Sequence, residues 1–143
     1  MQQSTVTLIV AGLGIGGTLG GITVGHFLTQ SSQRKQWILD RRKEEWSELL
    51  TALAESLRMA LKRYQGRVLS GEEEYRIVEA QSNCFRVIRD RIFIAADVKN
   101  LNLENRWSAA VMHHSENLDA RKLGAAYDAI RNEIVEAATK RSR

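Results

Sequence analysis

Two hydropathy regimes meet in this chain of 143 residues. From Thr5 to Thr29 it reads TVTLIVAGLGIGGTLGGITVGHFLT, apolar or small almost throughout, with His26 as the one ionisable side chain. As an α-helix that stretch rises about 37 Å, against a hydrocarbon thickness of about 30 Å. In hydrocarbon every backbone polar group has to bond within the segment, so a transmembrane helix over residues 5–29 is expected. Beyond Ser31-Ser32 the pattern turns amphipathic. Trp46, Leu49, Leu50, Leu53, Leu57, Ala60, Leu61 and Tyr64 keep the 3.6-residue spacing of one helix face, and Gly66 suits the position after the helix end. No proline or glycine interrupts residues 26–65, so this helix is free to continue from the span.

Ser70-Gly71-Glu72-Glu73 reads as a capping box that starts a second helix, with Ser70 as N-cap and acids at the positive end of the dipole. Tyr75, Val78, Phe85, Ile88, Ile92 and Ala95 or Ala96 form its expected inner stripe, which carries it to about Ala96. Asp97-Val98-Lys99-Asn100 reads as a turn. A shorter helix follows from about Asn102 to His114, with Leu103, Trp107, Ala110 and Val111 inward. Ser115 to Asp119 is a cap-rich connection. The last helix places Leu123, Ala126, Tyr127, Ile130, Ile134 and Ala137 on one side. No segment alternates with period two for long, so the fold class is all-α: one N-terminal transmembrane helix followed by an antiparallel cytosolic bundle of about four helices. The expected domains are an extracytoplasmic N-terminus (1–4), the span (5–29), a juxtamembrane basic helix (30–45), the bundle (46–139) and a basic tail (140–143).

Composition sharpens this division. The 21 basic and 17 acidic residues give a net charge of +4, and all of them lie beyond residue 33. One cysteine, Cys84, excludes a disulfide-stapled scaffold and is consistent with a reducing compartment. Cationic residues beside a span stay in the cytoplasm. Arg34, Lys35, Arg41, Arg42 and Lys43 crowd the C-terminal side, and no basic side chain precedes the span. The N-terminus is therefore expected outside the inner membrane and residues 30–143 in the cytosol. Trp37 with Arg34, Lys35, Arg41, Arg42 and Lys43 form the expected lipid interface, diluted by Asp40, Glu44 and Glu45. A secretory signal peptide fits poorly, because the basic leading region and a small-residue cleavage site are both missing.

The glycines carry two rival meanings. Gly12, Gly16 and Gly20 recur every four residues, as do Gly17, Gly21 and Gly25, and each set lines one helix flank with small residues that allow close backbone approach. Self-association of the span is expected from them. Gly12-x-Gly14-x-x-Gly17 also matches a dinucleotide fingerprint after the strand-like Val6 to Val10, which would make the chain part of an NAD-binding oxidoreductase. That fold needs an acidic second strand about 20 residues later, and the helix-patterned sequence offers none. A third class, a pore-forming or holin-like oligomer, follows if the glycine and threonine faces line a path.

Catalytic chemistry is sparse. His113-His114-Ser115-Glu116 invites a metal, but adjacent histidines on a helix point about 100° apart. His26 reads as an interfacial polar group, Cys84 as a small helix residue, and Glu72-Glu73-Glu74 as a solvated helix start. Charges of both signs alternate along the helices, so no nucleic-acid stripe is expected. No cofactor, metal or catalytic residue is assigned, and an enzyme is not expected. The stretch Trp37-Ile38-Leu39-Asp40-Arg41-Arg42-Lys43-Glu44-Glu45-Trp46 resembles a W-x-x-x-R-R/K-x-E-x-W/Y motif of small bacterial single-pass membrane proteins of unknown function, which join a glycine-rich span to a cytosolic helical bundle. The resemblance implies location and architecture and carries no activity. The expected function is thus a membrane-anchored interaction or assembly module. Its expected partners are lipid, further copies of itself and a cytosolic protein, with the strip around Trp46 and Trp107 as a candidate partner surface.

Overall fold

The computed structural model describes residues 2–66, 68–112 and 119–140, with side chains from residue 29 onward except that of Met112. The described residues are helical and contain no strand. Five α-helices follow one another: α1 (Gln2–Leu61), α2 (Gly71–Arg89), α3 (Ala95–Asn100), α4 (Leu103–Met112) and α5 (Ala120–Lys140), with a 3-10 turn at Lys62–Tyr64. The chain divides into two units, residues 1–40 and 41–143. The first is helical backbone belonging to α1. Among the described residues no helix is long and apolar enough to cross a membrane. The side chains of the expected span lie outside that description up to residue 28, including His26 and all six glycines of the repeats.

The second unit is a helical bundle. The end of α1 follows the expected pattern: the helix tightens into the 3-10 turn and stops at Gly66, whose φ of +68° is a conformation that costs glycine nothing. Trp46, Leu49, Leu53 and Ala60 are buried, with Leu50, Leu57 and Leu61 packed alongside. Arg63 meets Glu74, Ser56 meets Gln81 and Arg91 meets Glu48, so α1 and α2 run antiparallel. Phe85 and Ile88 of α2, Leu103 and Trp107 of α4, and Leu123, Ile130 and Ile134 of α5 complete one core. Fully burying such a side chain contributes about 1.5–3 kcal/mol, so packing decides helix placement more than propensity does.

The second helix departs from expectation at both its face and its end. Its capping box is formed as expected, the Ser70 hydroxyl accepting from the Glu73 amide and the Glu73 carboxylate accepting from the Ser70 amide. The buried stripe, however, is Ile77, Gln81, Cys84, Phe85 and Ile88, whereas Tyr75 (68% exposed) and Val78 (53%) face outward. The polar Gln81 sits on the inner face, which hid that stripe from a reading by hydropathy. The helix also ends at Arg89 rather than near Ala96. Beyond it the chain exposes Ile92 (77%) and buries Ile94, the reverse of what a continued helix would do. Residues 97–100, expected as a turn, lie instead in the six-residue α3. That helix closes at Asn102 (φ 51°), whose amide bonds to the Lys99 carbonyl. Asparagine tolerates this left-handed conformation better than most residues. The same residue begins α4, since its carbonyl accepts the Arg106 amide. At α5 the Asp119 side chain caps the helix by accepting the Lys122 amide.

Candidate functional site

Polar side chains of α1 enter the bundle at two places. The first is a row one turn apart: Arg42, Glu45 and Glu48 sit at i, i+3 and i+6 on one side of the helix. The Glu45 carboxylate accepts three consecutive backbone amides, Ile92 at 3.0 Å through one oxygen, and Phe93 and Ile94 at 2.9 and 3.1 Å through the other. Those amides lead into α3, whose N-cap residue Ile94 has no side-chain cap hydrogen bond of its own. Three backbone donors between α2 and α3 are thus satisfied by a side chain of α1. Arg42 adds a 2.8 Å ion pair to Asp97, both side chains largely buried. Glu48 pairs with Arg91 at 2.6 Å. Together these contacts strap residues 91–97 onto α1. The strap has one flaw: Arg91 Nε is buried with no hydrogen-bond partner among the described residues. An orphaned donor of this kind costs about 1–3 kcal/mol.

The second place is a polar knot in the centre of the core. The Ser56 hydroxyl, fully buried, donates to Gln81 Oε1 at 2.6 Å and accepts from Trp107 Nε1 at 2.8 Å. Gln81 Nε2 donates to the Ser56 carbonyl at 3.1 Å. One residue each from α1, α2 and α4 is fixed in register, and buried polar groups are tolerated because they pair with each other. Cys84 lies beside this knot. Burial pushes its thiol up to about 11, with the Ser56 hydroxyl pulling weakly the other way. A thiol so far from ionisation at neutral pH is a poor nucleophile. Trp107 also meets Tyr127 edge-on, ring centroids 6.2 Å apart.

An open groove of about 750 Å³ runs between α1 and α2. Its three arginines are matched locally: Arg58 to Glu55, Arg76 to Glu72 and Arg86 to Asp90. Hydrogen bonds from Arg58 hold the Glu55 carboxyl below its ordinary range, as Arg89 does for Glu104 and Arg106 for Glu133. Compensated pairs of this sort build little net field. Among the described residues no group of three or more His, Cys, Asp or Glu side chains is placed to hold a metal ion. His113, His114, Ser115 and Glu116 lie outside the described residues.

The expected site residues are redistributed. Trp46 and Trp107, the candidate partner strip, are core residues. Arg42, expected at lipid, is turned into the bundle toward Asp97. Arg41 pairs with Glu44, while Arg34, Lys35 and Lys43 are exposed. The two units divide after Asp40, with Arg41 to Glu45 in the second. The dinucleotide fingerprint lacks its strand, because residues 6–10 are helical backbone within α1. The strap and the knot were missed by sequence reasoning. A carboxylate at 45 facing amides at 92–94 has no local signature, although a buried-spaced serine among leucines was a visible hint of the knot.

No protein family, curated protein or solved structure matches the chain.

Proposed function

We propose that the chain is a single-pass protein of the inner membrane: residues 5–29 cross the bilayer, residues 1–4 lie outside, and the helical bundle works in the cytosol as an interaction and assembly module. The observation that carries this reading is the complete lack of Asp, Glu, Lys and Arg in residues 1–33, followed at once by Arg34 and Lys35. Helical backbone through that stretch supports it, since a helix bonds its own polar groups and asks nothing of lipid. The paired glycine sets, Gly12/Gly16/Gly20 and Gly17/Gly21/Gly25, favour contact between copies of the span. A non-catalytic role for the bundle fits its chemistry: the thiol is buried and raised, the groove is charge-compensated, and the polar side chains bind one another.

Carbonate extraction of membranes carrying the full chain tests the tether. The chain is expected in the pellet, and its quantitative release into the supernatant overturns the reading. In the same membranes, Gly16→Leu with Gly21→Leu should lower cross-linked dimer and higher species severalfold.

A further inference from the structure

The six residues expected at the lipid interface separate at the border between the two units. Arg41, Arg42 and Lys43 open the bundle unit and are engaged there: Arg41 with Glu44, Arg42 with Asp97, and Lys43 also in a polar interaction. Arg34 and Lys35 belong to the other unit, are exposed, and carry no hydrogen bond or ion pair among the described residues. Trp37, three positions on from Arg34, leaves 52% of its surface exposed. On a helix, 34 and 37 are three apart and share one face, with 35 about 100° to the side of 34, so a cation and an aromatic ring lie together there. A helix lying flat on a membrane needs cations and apolar residues on opposite faces; a cation and an aromatic on one face suit a helix that stands upright in it. Measured from Thr29, Arg34 lies about 7 Å further along the helix, at headgroup depth, whereas Arg41 lies about 18 Å along. Arg41 is thus about 10 Å beyond Arg34, more than one screening length at physiological salt.

We propose that Arg34 and Lys35, flanked by Trp37, form a binding site for lipid headgroups of net negative charge, and that Arg41, Arg42 and Lys43 have no share in it. This rests on the reading of residues 5–29 as a span and names the lipid class that its cytosolic edge selects. Two unpaired cations at a lipid surface correspond to a preference of about 30-fold for an anionic over a neutral lipid neighbour at physiological salt.

The test uses the full chain in vesicles of phosphatidylcholine with a minority of phosphatidylglycerol. Polymer nanodiscs cut from those vesicles are analysed for bound lipid, which yields the exchange constant of the anionic over the neutral lipid. Arg34→Gln with Lys35→Gln is expected to lower that constant by about 30-fold, and Arg41→Gln with Lys43→Gln to leave it within about twofold. An unchanged constant in the first variant, or an equal loss in the second, overturns the proposal. Carbonate extraction of the same vesicles separates the two levels. Release of the wild type removes the span and the headgroup site together, while retention with an unselective constant removes the headgroup site alone.

Discussion

The strap and the knot hold the same helix to the same bundle by opposite means. At the knot, Ser56, Gln81 and Trp107 are dry and spend their hydrogen-bonding capacity on one another. At the strap, the Glu45 carboxylate holds backbone amides, the largely buried Arg42 and Asp97 pair, and Arg91 Nε has no hydrogen-bond partner among the described residues. The difference teaches where each kind of polarity is tolerated. Neutral groups are buried at little cost when every donor and acceptor is matched, and they then fix helix register. Charges enter only in pairs or against several backbone donors, and an imperfect match there costs more. The knot is accordingly the firmer attachment and the strap the first to open.

The largest expected effect attacks the knot. Trp107→Ala should destabilise the chain by about 3–5 kcal/mol in chemical denaturation, from lost area and the cavity left behind. Trp107→Phe keeps most of the area and removes one donor, so about 1–2 kcal/mol is expected. Equal losses from the two changes would mean that the hydrogen bond, not the volume, dominates there.

A second probe of the knot is its pH dependence through Cys84. The thiol's ordinary value is 9.0 and burial raises it to about 11. A raised value means that the folded chain keeps a proton the unfolded chain has already lost. Its contribution is complete below pH 9 and is lost as pH rises through about 11, a fall of about 2–3 kcal/mol. Denaturation of the wild type and of Cys84→Ala across that range reads the difference, and parallel curves would contradict a thiol held neutral by burial.

The smallest expected effect belongs to the strap. Glu45→Gln replaces one accepting oxygen by an amide that itself donates, leaving at least one of the amides 92–94 unmatched, at about 1–2 kcal/mol. Hydrogen exchange should quicken at Ile92, Phe93 and Ile94 while the middle of α2 keeps its protection. Uniform acceleration over both segments would show that strap and knot open as one.

What hydropathy made legible was whatever packs by area. The inner faces of α1, α4 and α5 follow from Leu49, Leu53, Trp107, Leu123, Ile130 and Ile134 at helical spacing. The capping box at Ser70 and Glu73 is local chemistry and was equally readable. The face of α2 was misjudged because Tyr75 and Val78 are apolar yet exposed, while Gln81 is polar yet buried. The end of α2 and the whole of α3 depend on Glu45 and Arg42, partners that no local window contains. The basic motif at 41–43 illustrates the same limit: spacing marks it as charged, and only its partners Glu44 and Asp97 show that part of it serves the bundle.

The Glu45 carboxylate, which holds the segment leading into α3, lies 47 to 49 positions upstream of the amides it receives. A helix of six residues has no stability of its own, so α3 cannot precede the docking of α1. Such distant closure makes it a late event in assembly. A nascent chain would carry α1 and α2 as paired, growing rods well before this short piece settles, and any fragment beginning after Glu45 should leave residues 91–100 unsettled for good.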